Sequence, residues 1–122
     1  MEQAMKDHFY GPTRNAVATI NHLLALPATG DEQDWEIELA DPRKLDDMFE
    51  LFAKGSLGFE ERSAVALLLT HTVDELEDDD EDTSDLVPRL RSLLASDGEV
   101  LHRMRFYWSH LQAGSAIRKA LA

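Results

Sequence analysis

The sequence predicts an all-α fold, a compact bundle of four to five main helices with an acidic connecting loop. Three observations carry that expectation. Apolar residues recur at spacings of three and four in four segments of the chain, as one buried face of a helix requires. Those segments are bounded by Pro, Asp, Ser and Gly at the positions where helices start and stop. Only residues 35–39 alternate with a period of two. At 122 residues the chain fits one helical domain, 1–122, and can bury roughly two-thirds of its unfolded surface.

The first ten residues show no period, although Phe9 and Tyr10 suggest an end tucked onto the core. Pro12 suits the first helical position, and Ala16, Val17, Ile20, Leu23 and Leu24 then follow a helical stripe to about Leu26, where Pro27 and Gly30 end it. Residues 31–34 read as a polar loop. Trp35, Ile37 and Leu39 alternate with Glu36 and Glu38, the pattern of a strand, yet no second strand is present to pair with it. An extended segment, or a first helical turn with Trp35 anchored in the core, fits as well. Asp41-Pro42 opens the next helix, with Leu45, Met48, Phe49 and Phe52 on its apolar face and Gly55 just past its end. Only residues 56–58 separate it from the following helix, so the two should pack as a hairpin.

That following helix is the centre of the core. Ala66, Leu69, Val73 and Leu76 share one stripe and Val65, Leu68 and Thr72 its flank, which leaves little room for a polar face. It should fray near Glu77, because Asp74, Glu75, Glu77 and Asp78 crowd its negative end. Residues 78–82 should then form a mobile, solvated connection. Ser84 or Asp85 can cap a helix that places Pro88 in its first turn and turns Leu86, Leu90, Leu93 and Leu94 inward. Ser96-Asp97-Gly98-Glu99 has the form of a capping box and opens the last long helix, with Val100, Leu101, Met104, Tyr107, Trp108 and Leu111 on its apolar side. Gly114 should break it before a short tail, 116–122.

Charge is the chain's most distinctive property. There are 12 basic and 24 acidic residues, and the acidic excess is confined to one part: residues 1–85 hold 6 basic and 22 acidic residues, residues 86–122 hold 6 and 2. From 74 to 85 nine of twelve residues are acidic and none is basic: Asp74, Glu75, Glu77, Asp78, Asp79, Asp80, Glu81, Asp82 and Asp85. A surface of that sign disfavours direct nucleic-acid contact, since affinity for phosphates comes from Lys and Arg. It reads either as a solubilising loop or as a surface for a basic protein partner.

Chemistry-bearing motifs are absent from the sequence. Asp78, Asp80 and Asp82 alternate as the first ligands of a calcium loop do, but the sixth position is Thr83 instead of glycine and the twelfth is Arg89 instead of glutamate. Loose condensation of divalent ions on the run stays open. The histidines at 8, 22, 71, 102 and 110 form no His-x-x-x-His pair; His71 and Glu75, four apart, suit a local contact better than a metal site. With no nucleophile elbow, phosphate loop or nucleotide fingerprint, no catalytic, cofactor-binding or metal-ligating residue is assigned and the chain is not expected to be an enzyme. Arg103, Arg105 and His102 lie among Phe106, Tyr107 and Trp108, where the aromatics should pack inward and the arginines face solvent, pairing with the acidic half. The absence of cysteine, of a basic-then-apolar leader and of any 18-residue apolar run suggests a soluble, cytoplasmic protein without a membrane role.

The stretches GSLGFEERSAVALLLTHTVDEL and LVPRLRSLLASDGEVLHRMRFYW resemble segments of small, acidic, all-helical bacterial proteins encoded beside secreted toxins as their immunity partners. The resemblance covers about half the chain, in its helix patterning, an F-E-E-R opening to one helix and a Y-W pair in another; it transfers no functional residue. It implies tight association with one cognate protein, with acidic side chains opposing a basic cleft. The expected function is therefore a protein-binding inhibitor, most concretely an immunity protein neutralising a basic toxin through the nine acidic residues of the run. A small acidic secretion or folding chaperone is the alternative, marked by a large apolar groove, and an enzyme the second, marked by a buried carboxylate pair in a pocket. Self-association into a homodimer stays open.

Overall fold

The computed structural model describes residues 8–111 and 114–122. All regular structure among them is helical: α1 (Arg14–Leu23), α2 (Trp35–Glu38), a 3-10 turn (Pro42–Lys44) running into α3 (Leu45–Ala53), α4 (Phe59–Asp78), α5 (Leu86–Ala95), α6 (Gly98–Ser109) and α7 (Ser115–Leu121). This is the all-α bundle with an acidic connection that the sequence predicts. The 20-residue α4 is its axis and packs against every other described helix.

The reason lies in the residues of α4 itself. From Ser63 to Val73 every side chain is buried, so no face of the middle of this helix meets water. Three hydroxyls in that stretch are neutralised locally: Ser63 Oγ donates to the Phe59 carbonyl at 2.9 Å, Thr70 Oγ1 to Leu67 at 3.0 Å and Thr72 Oγ1 to Leu68 at 2.7 Å. Such back-bonding lets small polar residues sit in an apolar helix without an orphaned group. Thr70 also accepts the indole N–H of Trp108 at 3.0 Å, which ties α6 to α4 through the centre of the core.

The surrounding helices bring one apolar face each. Thr13 caps α1 by accepting the Ala16 N–H at 3.1 Å, so Pro12 lies before the cap and not in the first turn. The helix stops at Leu23, three residues short of the predicted Leu26. There Ala25 turns left-handed (φ 51°) and Leu26 N–H reaches back to the Asn21 carbonyl. The Lys44 ammonium bonds the Leu24 carbonyl at 2.9 Å, placing a cation at the negative end of α1.

Residues 35–39 are a helical turn, which excludes the strand. Trp35 and Leu39, four apart, are buried together, whereas Ile37 is 56 % exposed. The Trp35 indole donates to Asn21 Oδ1 at 2.7 Å and fixes the turn on α1. Asp41 caps the next segment through the Arg43 N–H, all four predicted apolar residues of α3 are buried, and Gly55 takes the left-handed conformation (φ 70°) beyond its end.

Four sequence expectations shift in the C-terminal half. Neither Ser84 nor Asp85 caps α5 with its side chain; the Thr83 carbonyl accepts the first amides, and Pro88 lies in the first turn as expected. The cap of α6 is Asp97, whose Oδ1 accepts the Val100 N–H, while Ser96 closes α5, so the capping signal is one residue out of register. The predicted tail is a helix, α7, with Ile117 and Leu121 buried. Arg103 is buried and does not face solvent. Its guanidinium forks onto Glu60 at 2.9 and 3.1 Å and stacks 4.0 Å from the Phe59 ring centroid, so the pairing with the acidic half holds. Phe9 is buried as expected; Tyr10 is 76 % exposed.

Candidate partner-binding surface

The nine acidic residues do not form one uniform patch. Asp74, Glu75 and Asp78 lie on the face of α4 that also carries His71, at relative positions 0, 3, 4 and 7, the spacing of one helical face. All four line an open cleft of about 480 Å³. Ile37 and Ala40 form a second wall, and Trp108 with Leu111 closes the third.

Beyond Asp78 the chain turns in a defined way. Asp80 is left-handed (φ 58°), its N–H bonds the Glu77 carbonyl, and the Glu81 N–H bonds the Leu76 carbonyl. These two bonds are those of a Schellman motif, here with Asp in the place glycine usually holds. Glu77 faces this turn and not the cleft, because its carboxylate accepts the hydroxyl of the buried Thr83. Asp82 accepts the Ser84 N–H at 3.0 Å, which holds its carboxyl below the usual range. Asp79, Asp80, Glu81, Asp82 and Asp85 are exposed. The connection is thus solvated as expected and closed by specific hydrogen bonds.

Among the described residues the salt bridges are Arg43–Asp41, Arg62–Asp97, Arg89–Asp46 and Arg103–Glu60. None uses a carboxylate of the run, which leaves its charge available. The cleft's own carboxylates feel one another. Burial, then Asp78 and Glu77, raise the Asp74 carboxyl above its ordinary value, and nearby Arg118 pulls the other way.

A hydrogen-bonded chain that the sequence did not disclose lies behind the cleft. His71 Nε2 meets the Tyr107 hydroxyl at 2.8 Å, and that hydroxyl donates to Glu36 Oε1 at 3.3 Å. The expected His71–Glu75 contact does not form; Tyr107 takes its place. Because a carboxylate only accepts, the phenol directs its O–H to Glu36 and its oxygen accepts Nε2–H. This fixes His71 as the tautomer with a bare Nδ1. Burial pushes the imidazole pKa down to about 4, so the ring is neutral at pH 7. Burial likewise raises Glu36 and Tyr107. The helical spacing of His71 with Asp74, Glu75 and Asp78 was the sequence signal for this face; the contribution of Tyr107 and Glu36, far away along the chain, had none.

Among the described residues no three His, Asp or Glu side chains converge as a metal site would need, and no helix is long and apolar enough to cross a membrane. The chain matches no protein-family model, no curated protein and no solved structure.

Proposed function

We propose that this protein is a protein-binding inhibitor, most concretely an immunity protein that neutralises a basic toxin, and that it meets its partner through the acidic surface at the end of α4. The observation that carries the reading is the concentration of unpaired carboxylates there: Glu75, Asp78, Asp79, Asp80, Glu81, Asp82 and Asp85 are exposed, and no described salt bridge engages them. A field of one sign steers an oppositely charged protein into encounter, which suits an antidote that must act before its target does. The cleft adds a site for close contact beside the charge, with Ile37 exposed on its wall. A chaperone would need a long apolar groove for an extended segment; here the apolar wall is short and bordered by carboxylates on α4.

The experiment is to isolate the protein with whatever co-purifies from its native cell, then measure association of the purified pair. Charge reversal of Glu75, Asp78, Asp79 and Asp82 to Lys should lower the association rate by at least about tenfold with a smaller change in dissociation. An association rate indifferent to that reversal removes the acidic surface from recognition.

A further inference from the structure

We infer that the cleft between α2, α4 and α6 is a receptor for an arginine side chain carried by the protein partner. The inference rests on the reading of this chain as a binder of a basic protein and names what the partner presents. It starts from the hydrogen-bonding inventory of the cleft. As carboxylates, Asp74, Glu75 and Asp78 offer only acceptors. His71 is 9 % exposed, and its Nε2–H is committed to Tyr107. Its Nδ1 has no hydrogen-bond partner among the described residues, yet among those residues no buried side-chain nitrogen is sealed without one. Nδ1 therefore opens to the cleft that its ring lines, as one more acceptor.

The donors are spent elsewhere. The Trp108 N–H goes to Thr70, no Lys or Arg lines the cleft, and Arg118, whose charge reaches Asp74, donates to the Trp108 and Leu111 carbonyls. Between its apolar walls the cleft's polar side chains offer acceptors, at the negative end of a helix, which repels anions; a cation rich in N–H groups with an apolar stem satisfies both. Three carboxylates and one imidazole nitrogen spread along a helical face exceed what the compact ammonium of lysine can reach. The planar guanidinium, with five N–H groups and weaker hydration, matches them better. The exposed Ile37 and the half-buried Leu111 lie where the aliphatic stem of such a side chain would pass.

The test is a titration of the full chain followed by NMR at the His71 ring and the Ile37 and Leu111 methyls. The probes are acetyl-Ala-Leu-Arg-Leu-Ala-amide, the same peptide with citrulline for arginine, and agmatine. The inference expects saturable shifts at all three residues with the arginine peptide, at least tenfold weaker binding of the citrulline peptide, and loss of that preference in Asp74→Asn/Asp78→Asn. Equal binding of both peptides overturns it, as does an absence of saturable shifts. Agmatine binding tenfold more tightly than the arginine peptide overturns it too, since the occupant is then a small free amine. Ile37→Trp, at an exposed position, fills the cleft without altering its charge. With the co-purified partner it should speed dissociation at least tenfold and leave association unchanged. Unchanged dissociation defeats the cleft as a receptor even if association stays salt-sensitive, whereas association insensitive to salt is the separate mark of failure for the wider reading.

Discussion

At the scale of single residues, His71 couples the candidate surface to the core. Its neutral imidazole is held between Tyr107 and the Trp108 ring, whose centroid lies 4.6 Å away. Since burial lowers its pKa from about 6.5 to about 4, the unfolded chain takes up a proton in that interval that the folded chain refuses. Stability from this residue is therefore full above pH 6.5 and is lost as pH falls toward 4. Glu36 and Asp74, with raised values, act in the opposite sense, but they are common to a His71→Gln variant and cancel in the comparison. The stability difference between wild type and His71→Gln, from denaturant melts, should move by on the order of 2 kcal/mol in favour of the variant between pH 7 and pH 4. A difference flat with pH would mean that the ring charges as freely in the fold as outside it. Gly114 is the second decisive residue. Its backbone is left-handed (φ 78°), and a Cβ there would lie 2.3 Å from Trp108 Cζ3, a ring buried and hydrogen-bonded at its far side. Gly114→Ala should cost about 2–4 kcal/mol, the left-handed penalty plus overpacking, read from the shift in the melting midpoint.

At the scale of elements, helix ends separate what was legible from what was not. Two ends close as Schellman turns on residues other than glycine, Ala25 and Asp80. Ala25→Gly should stabilise the fold by about 0.5–1 kcal/mol, because alanine has no side-chain hydrogen bond to offset its left-handed strain. A loss of stability in a thermal melt would place the strain elsewhere. Because neither position holds a glycine, no Schellman turn was legible at either end and α1 looked longer than it is, whereas the stop of α4 near Glu77 was read from its crowded negative charge. The starts were easier to read: Asp41 and Asp97 cap through their carboxylates, although the S-x-x-E pattern pointed to Ser96, which instead donates to Leu93. The alternation of Trp35, Ile37 and Leu39 misleads for a physical reason. Trp35 and Leu39 satisfy a four-residue helical period by themselves, and Ile37 is apolar but turned out to the cleft. The last helix, α7, was read as a tail because Ile117 and Leu121 are only two apolar anchors, and it is their burial against the bundle that holds it.

At the scale of the whole molecule, the central helix unites fold and surface. Its middle, from Ser63 to Val73, supplies the core, and its last turn supplies charge that no described salt bridge engages. The core half was plain in the sequence, since an unbroken apolar helix can only be encircled. The acidic half was plain as charge, but its division into a cleft wall, a turn brace at Glu77 and an exposed cap depends on where α2 and α6 pack, which no local pattern records. The placement of these carboxylates at the edge of a cleft, still unpaired, is what makes them a surface for encounter. Exposed charges act over about 8 Å at physiological salt, so their contribution to recognition is a rate that salt screens. The most direct measurement is stopped-flow association of the protein with its co-purified partner across a series of salt concentrations. The account predicts an association rate that falls at least tenfold from about 0.02 M to 0.5 M salt while dissociation changes little. An association rate constant across that range would contradict it.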